Sequence, residues 1–240
     1  MKQQFAAKHP WTILAAGAAI QVLTGIPAAW GVFQQPVMDE YGLSEQGAGY
    51  AFGILIAAFG VGCVLGGFLQ DSRGPRCAAL WGTALLCGGF FAAAILPGGS
   101  AGSFFLAFSI PAGLGTAFLY PSIQSCAQKW YAGRKGLATG VIGGAVGLSG
   151  AFLTVFVRTA VSGFGIVQGI RGAFWALGAI TLPVCLAGSL LLQDPPESRQ
   201  NQQGSGKNEI DLSPWQMLKT KQYWLCAGAG CFSTPAVLLF

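Results

Sequence analysis

The chain is poor in charge. Of its 240 residues only eight are acidic and thirteen basic, 9% in all, against roughly 25% in a soluble domain. A water-soluble fold cannot cover its surface with so few ionic groups, so that class is excluded. Metal-binding and nucleophilic patterns are scarce too. The single imidazole, His9, precedes the first apolar run at the level expected of lipid headgroups. Seven cysteines, at 63, 77, 87, 126, 185, 226 and 231, form no C-x-x-C. An odd number scattered through apolar stretches makes neither a disulfide framework nor a zinc site, and they read as small polarisable fillers of helix contacts. No His-, Ser- or Cys-based constellation converges in a loop. The expectation is therefore no enzyme, no metal and no cofactor.

Long apolar runs are what the chain has instead. A bilayer core about 30 Å thick needs roughly 20 apolar helical residues per crossing. Six such segments can be drawn at 11–33, 46–69, 77–96, 101–125, 136–157 and 172–192, and a seventh begins near Tyr223. The first is too long for the roughly 7 to 15 apolar residues of a secretory leader, and reads as an uncleaved span. Eleven of the thirteen basic residues fall in alternate connections: Lys2 and Lys8; Arg73 and Arg76; Lys129, Arg134 and Lys135; Arg199, Lys207, Lys219 and Lys221. Basic loops stay cytoplasmic, so the amino terminus is expected in the cytoplasm and Arg158 and Arg171 outside. The net charge of +5 suits an anionic leaflet of the inner (plasma) membrane. No basic stripe with interleaved aromatics suggests nucleic acid, so the expected partner is the lipid bilayer.

Connections follow from local chemistry. Gln34 to Gly47 holds Asp39, Glu40 and Glu45 but no base, and is expected to be an outer loop with Ser44 capping the second helix. The uncharged Pro97-Gly-Gly-Ser100 makes spans three and four antiparallel neighbours. Pro195 and Pro196 stop the sixth span. The Gln-, Ser-, Gly- and Asn-rich stretch that follows reads as a cytoplasmic linker. Ser213-Pro214-Trp215-Gln216 then opens a short interfacial helix, with Trp215 and Leu218 on one face. The expected organisation is a six-helix bundle over 1–193, a linker with an interfacial helix over 194–221, and the start of a second bundle over 222–240. Because the seventh run stops at Phe240 without a polar flank, a missing carboxy-terminal half is expected.

Two loops carry motifs. After the second span the sequence reads Gly67-Phe-Leu-Gln-Asp71-Ser-Arg73-Gly74-Pro75-Arg76. Gly67 suits close helix contact, Gly74 a turn with positive φ, and Asp71 a pairing with Arg73, Arg76 or a helix amino terminus. Between spans four and five stands Lys129-Trp130-Tyr131-Ala-Gly-Arg134-Lys135-Gly136-Leu137-Ala138-Thr139-Gly140, and before the seventh run Trp215-Gln-Met-Leu218-Lys219-Thr220-Lys221-Gln222-Tyr223-Trp224. Together these resemble the Major Facilitator Superfamily, in its oxalate:formate antiporter-like branch. Ser72 and Pro75 in the first motif, and Tyr131, Ala132 and Lys135 in the second, depart from the usual residues. The resemblance implies an all-α membrane bundle of six complete transmembrane helices and part of a seventh. It also implies a cytoplasmic latch at Gly67, Asp71, Arg73, Gly74 and Arg76, and a loop 4-5 motif at Lys129, Trp130, Arg134 and Gly136.

The same resemblance implies secondary transport of small organic anions, mono- or dicarboxylates, by alternating access and exchange. The alternatives are a drug or metabolite exporter on the same fold and a non-transporting membrane sensor or scaffold. No Asp, Glu, Lys or Arg stands in the middle of a complete span, so this part of the chain offers no intramembrane proton carrier. Tyr120 in span four matches a wall tyrosine of the branch, and as an alternative its hydroxyl bonds a carbonyl freed by Pro121. Trp30 and Gln21 in span one are further candidates to line a substrate site, Trp30 alternatively being an interfacial anchor. Pro27-Ala28 and Val146 replace polar residues of the oxalate pocket, which favours a less polar or larger carboxylate. In span five Gly136, Gly140, Gly143, Gly144, Gly147 and Gly150 are expected to present bare backbone to a neighbouring helix. Pro27, Pro111 and Pro183 are expected to bend theirs.

Overall fold

A computed structural model describes residues 10–97, 101–164, 169–193, 195, 219–225 and 228–229. The regular elements among them are helical: α1 Pro10–Thr24, α2 Ile26–Tyr41, α3 Glu45–Arg73, α4 Pro75–Ile95, α5 Ala101–Phe104, a π-helical turn Phe105–Ser109, α6 Ile110–Trp130, a 3-10 turn Ala132–Arg134, α7 Lys135–Phe164 and α8 Gly169–Leu191. Six helical stretches are long and apolar enough to cross a membrane: Pro10–Tyr41, Glu45–Arg73, Pro75–Ile95, Ala101–Trp130, Ala132–Thr159 and Gly169–Leu191. They form a unit over Met1–Pro195, and Pro196–Phe240 is a second unit. The expected interfacial helix from Ser213, most of the linker, Ser100, His9 and the chain beyond Ala229 lie outside the described residues.

The first span differs from its expected form. It runs to Tyr41 but is broken at Gly25. The residues expected as an outer loop, Gln34 to Tyr41, are helical because Phe33, Val37 and Tyr41 recur every four residues and are fully buried. The connection shrinks to Gly42, Leu43 and Ser44, with Gly42 in the left-handed region at φ 64. Ser44 caps α3 as expected, accepting from the Gly47 N–H at 3.1 Å, with Glu45 in the first turn. The first span breaks at Gly25, two residues before Pro27, where a bend was expected, and Pro111 lies inside the continuous helical stretch Ala101–Trp130, two residues after the π-helical turn. Pro27 stands in the first turn of α2, where its missing N–H costs nothing. Pro36, Pro121 and Pro183 also stand inside helices.

α6 is the hub, packed against α3 and α4 and touching α1 and α7. Glycines set these distances. A Cβ on Gly113 would come within 2.4 Å of the Leu55 carbonyl, one on Gly115 within 2.5 Å of the Leu86 N, and one on Gly62 within 2.6 Å of Ala117. Gly67, in contrast, faces open space, as do Gly136, Gly140, Gly143, Gly144 and Gly147. Close approach of α3 therefore belongs to Gly62 and Gly66. The α7 glycines meet no neighbour among the described residues, because α7 turns Ala138, Ile142, Ala145, Ser149 and Leu153 inward instead. Only Gly150 nears another helix, 3.5 Å from the Ala28 carbonyl.

An aromatic core fills the end of the bundle that carries Glu40. Phe108 lies 5.2 Å from Phe104 and 5.0 Å from Phe174 between ring centroids, and Phe33 stacks on Phe174 at 5.9 Å. Tyr41 joins it at 4.7 Å from Phe104 and donates to the Ala93 carbonyl at 2.7 Å, so its buried hydroxyl is satisfied. At this end Arg171 Nε sits 2.7 Å from Glu40 Oε1, clamping the end of α2 to the start of α8.

Candidate functional site

Loop motifs occupy the opposite end. α3 and α4 are joined by Gly74 alone, at φ 87, and its N–H donates back to the Gln70 carbonyl at 2.7 Å. Positive φ is why glycine stands there. Asp71 and Arg73 are exposed and Arg76 half-buried. Asp71 forms no ion pair with Arg73 or Arg76 among the described residues, so the pairing expected within the loop is absent and its carboxylate stays open to another partner.

Trp130 has a defined task that its motif did not disclose. Its indole N–H donates to the Gln193 carbonyl at 2.6 Å, and Cys126 Sγ approaches the same oxygen at 3.4 Å. Gln193 follows α8, whose last carbonyls lack helical partners, so Trp130 ties the end of α6 to the end of α8. Tyr131, next along, meets Trp11 edge-on at 6.1 Å. Arg134 and Gly136 are exposed, while Lys129 is half-buried.

The three candidates for a substrate wall differ in their exposure. Trp30 is 5% exposed and stacks on Phe52 and Phe108 at 5.9 and 6.4 Å, which makes it neither an interfacial anchor nor an open wall. Gln21 is 1% exposed; its Oε1 accepts from Thr24 at 3.0 Å, and its Nε2 has no partner. Both belong to the interior of the bundle. Tyr120 differs, being half-buried with no hydrogen bond from its hydroxyl among the described residues. The carbonyl freed by Pro121 is therefore not its partner.

A residue that sequence reasoning passed over lies one turn further along. Gln124 is half-buried, and its Oε1 is enclosed without a partner. The spacing Thr116, Tyr120, Gln124, Gln128 was the available signal: polar groups four apart in an otherwise apolar helix share one face. No cluster of three His, Cys, Asp or Glu capable of holding a metal exists among the described residues. What the site offers is neutral hydrogen bonding.

Six membrane-crossing helices around a glycine-packed hub, with a broken first span and a polar face on the fourth, define a multi-pass membrane protein of transporter architecture. The profile of the Major Facilitator Superfamily matches residues 13–240, and the chain belongs to that superfamily. It is 23% identical over 208 residues to the oxalate:formate antiporter of Oxalobacter formigenes, covering 85% of this chain and 47% of that protein. It is 29% identical over 189 residues to monocarboxylate transporter 9 of Mus musculus, covering 75% and 35%. Monocarboxylate transporter 2 of Homo sapiens is 26% identical over 221 residues, 89% of this chain and 45% of that one. The chain thus spans about half, or less, of the length of these relatives. In fold it is similar to a peptide transporter POT (E310Q mutant) crystallised with sulfate, at TM-score 0.58 and 23% identity over 81% of this chain and 42% of that one.

Proposed function

We propose that the six-helix unit works as one half of a secondary carrier that exchanges small organic anions, mono- or dicarboxylates, by alternating access in a cell membrane. The observation that carries this reading is the similarity, over 75 to 89% of the chain, to proteins named for oxalate:formate and monocarboxylate transport. Chemistry agrees with a half rather than a whole site. A carboxylate at the membrane midplane needs a compensating charge, and no Lys or Arg stands in the middle of these spans, so a second half has to supply it. Tyr120 is the wall residue of this half. Asp71, free of Arg73 and Arg76, latches the two halves on the cytoplasmic side.

The test is exchange in liposomes preloaded with formate, lactate, pyruvate, oxalate or malate. The 240-residue chain alone is expected to move none of them, and a chain extended through a second six-helix half to exchange some. In the extended chain Tyr120→Phe should weaken carboxylate affinity by about 1 kcal/mol. Asp71→Asn should cut transport sharply with expression unchanged. Robust exchange by the short chain would overturn the half-site argument, and an extended chain that moves only cations or neutral drugs would overturn the anion reading.

A further inference from the structure

Span four changes its winding partway along. Where α5 gives way to α6, the Ile110 N–H donates to the Phe105 carbonyl, five residues back rather than four. The π-helical turn Phe105–Ser109 therefore holds one residue more than an α-helix would over the same rotation. Every residue before it stands one place, about 100°, from where an unbroken α-helix would put it. Moving the turn out past Ala101 would bring Phe105 into the place of Phe104, Phe104 into that of Ser103, and Ser103 into that of Gly102. Because α5 is only four residues long, few hydrogen bonds resist the move.

The two registers are closely matched. Phe104 is fully buried, 4.7 Å from Tyr41 and 5.2 Å from Phe108 between ring centroids, and the residue that would take its place is also a phenylalanine. Ser109 is fully buried with a hydroxyl that has no partner. In an α register that hydroxyl stands over the carbonyl four residues back, the acceptor that Thr83, Thr116 and Thr154 use at Ala79, Ala112 and Gly150. Pro111 has no N–H to give Leu106 in the π pattern or Ala107 in the α pattern, so either register leaves one carbonyl short. The π register carries the orphaned Ser109 hydroxyl as its cost, and the α register carries the proline ring against the Ala107 carbonyl. We propose that the π turn is mobile and that the Glu40 end of span four switches between these registers as a moving part of the carrier. Its part in transport rests on the reading above. The switch turns residues 101–104 by about 100° and slides them by about 1.5 Å along the helix, while an aromatic ring stays against Tyr41 throughout.

Melting of the extended chain in detergent tests whether one ring can replace the other. The double variant Phe104→Ala, Phe105→Ala should lose about threefold more melting temperature than either single variant, because one remaining phenylalanine still fills the buried place. A loss from Phe104→Ala alone as large as that of the double variant overturns the proposal. Cysteine reactivity reads the register itself. Position 102 is exposed with room for a Cβ, and positions 101 and 103 are half-buried. On a Cys-less background, adding Phe104→Ala should speed thiol labelling of Ser103→Cys several-fold and slow that of Gly102→Cys, since each takes the place of the residue before it. A helix that merely loosens would speed both, and that result also overturns the proposal. Deletion of Phe105 removes the surplus residue and keeps Ala101–Phe104 in place. It should melt as the wild type does, while carboxylate exchange in liposomes falls several-fold. Phe105→Asn, which bars residue 105 from the buried place, should slow exchange likewise and decides the matter if the deletion fails to accumulate. Wild-type exchange by both variants removes the switch from the transport cycle. A wild type that exchanges no carboxylate sinks the carrier reading, and the labelling pair, which needs no transport, still decides the register.

Discussion

Gly25 shows how one missing side chain shapes the first span. A Cβ there would come within 1.6 Å of Ser149 Oγ and 2.5 Å of Ser149 Cβ. The serine of α7 thus occupies the space a larger residue at 25 would need, and its hydroxyl bonds the Val146 carbonyl and reaches the Gly25 carbonyl at 3.4 Å. Gly25→Ala is expected to destabilise the bundle by about 1 to 3 kcal/mol through overpacking. Adding Ser149→Gly, which removes both offending atoms, should recover much of it. Melting curves in detergent check this, and equal melting of the single and double variants would show that the helix moves aside at no cost. Hydropathy alone does not place the break, which was legible only through Pro27, the proline expected to bend this span. The same blindness affected the site. Trp30 and Gln21 are polar-capable residues in an apolar run, and only packing shows that one is stacked in an aromatic core and the other enclosed beside Thr24.

Among the elements, six spans were legible because apolar length alone sets a crossing, and the cap at Ser44 because its chemistry is local. The extent of the first span was not, although Phe33, Val37 and Tyr41 carried the four-residue spacing through a stretch whose charges suggested a loop. That extension has a structural use, since it carries Glu40 to Arg171. Glu40 keeps only 10% of its side-chain exposure and Arg171 33%, so the pair is better sheltered than a surface one. Glu40→Gln should lower stability by about 1 kcal/mol. A double-mutant cycle with Arg171→Gln should show a coupling of about the same size, measured by chemical or thermal denaturation in detergent. A coupling of zero would mean that packing around Tyr41 and Phe104 alone holds the two helix ends together.

For the whole molecule, orientation follows from charge rather than from packing. The basic loops around Arg76 and Lys129 stand at one end of the bundle, and the Glu40–Arg171 pair at the other. With a single cysteine on a Cys-less background, position 39 should react with an impermeant thiol reagent from outside the cell and position 204 only from inside. Reaction at 204 from outside would invert the topology. The connection between spans two and three adds a mechanical constraint. Gly74 is the whole of the link between helices of 29 and 21 residues. With no slack chain, a shift of either helix along the membrane normal has to carry the joined end of the other with it.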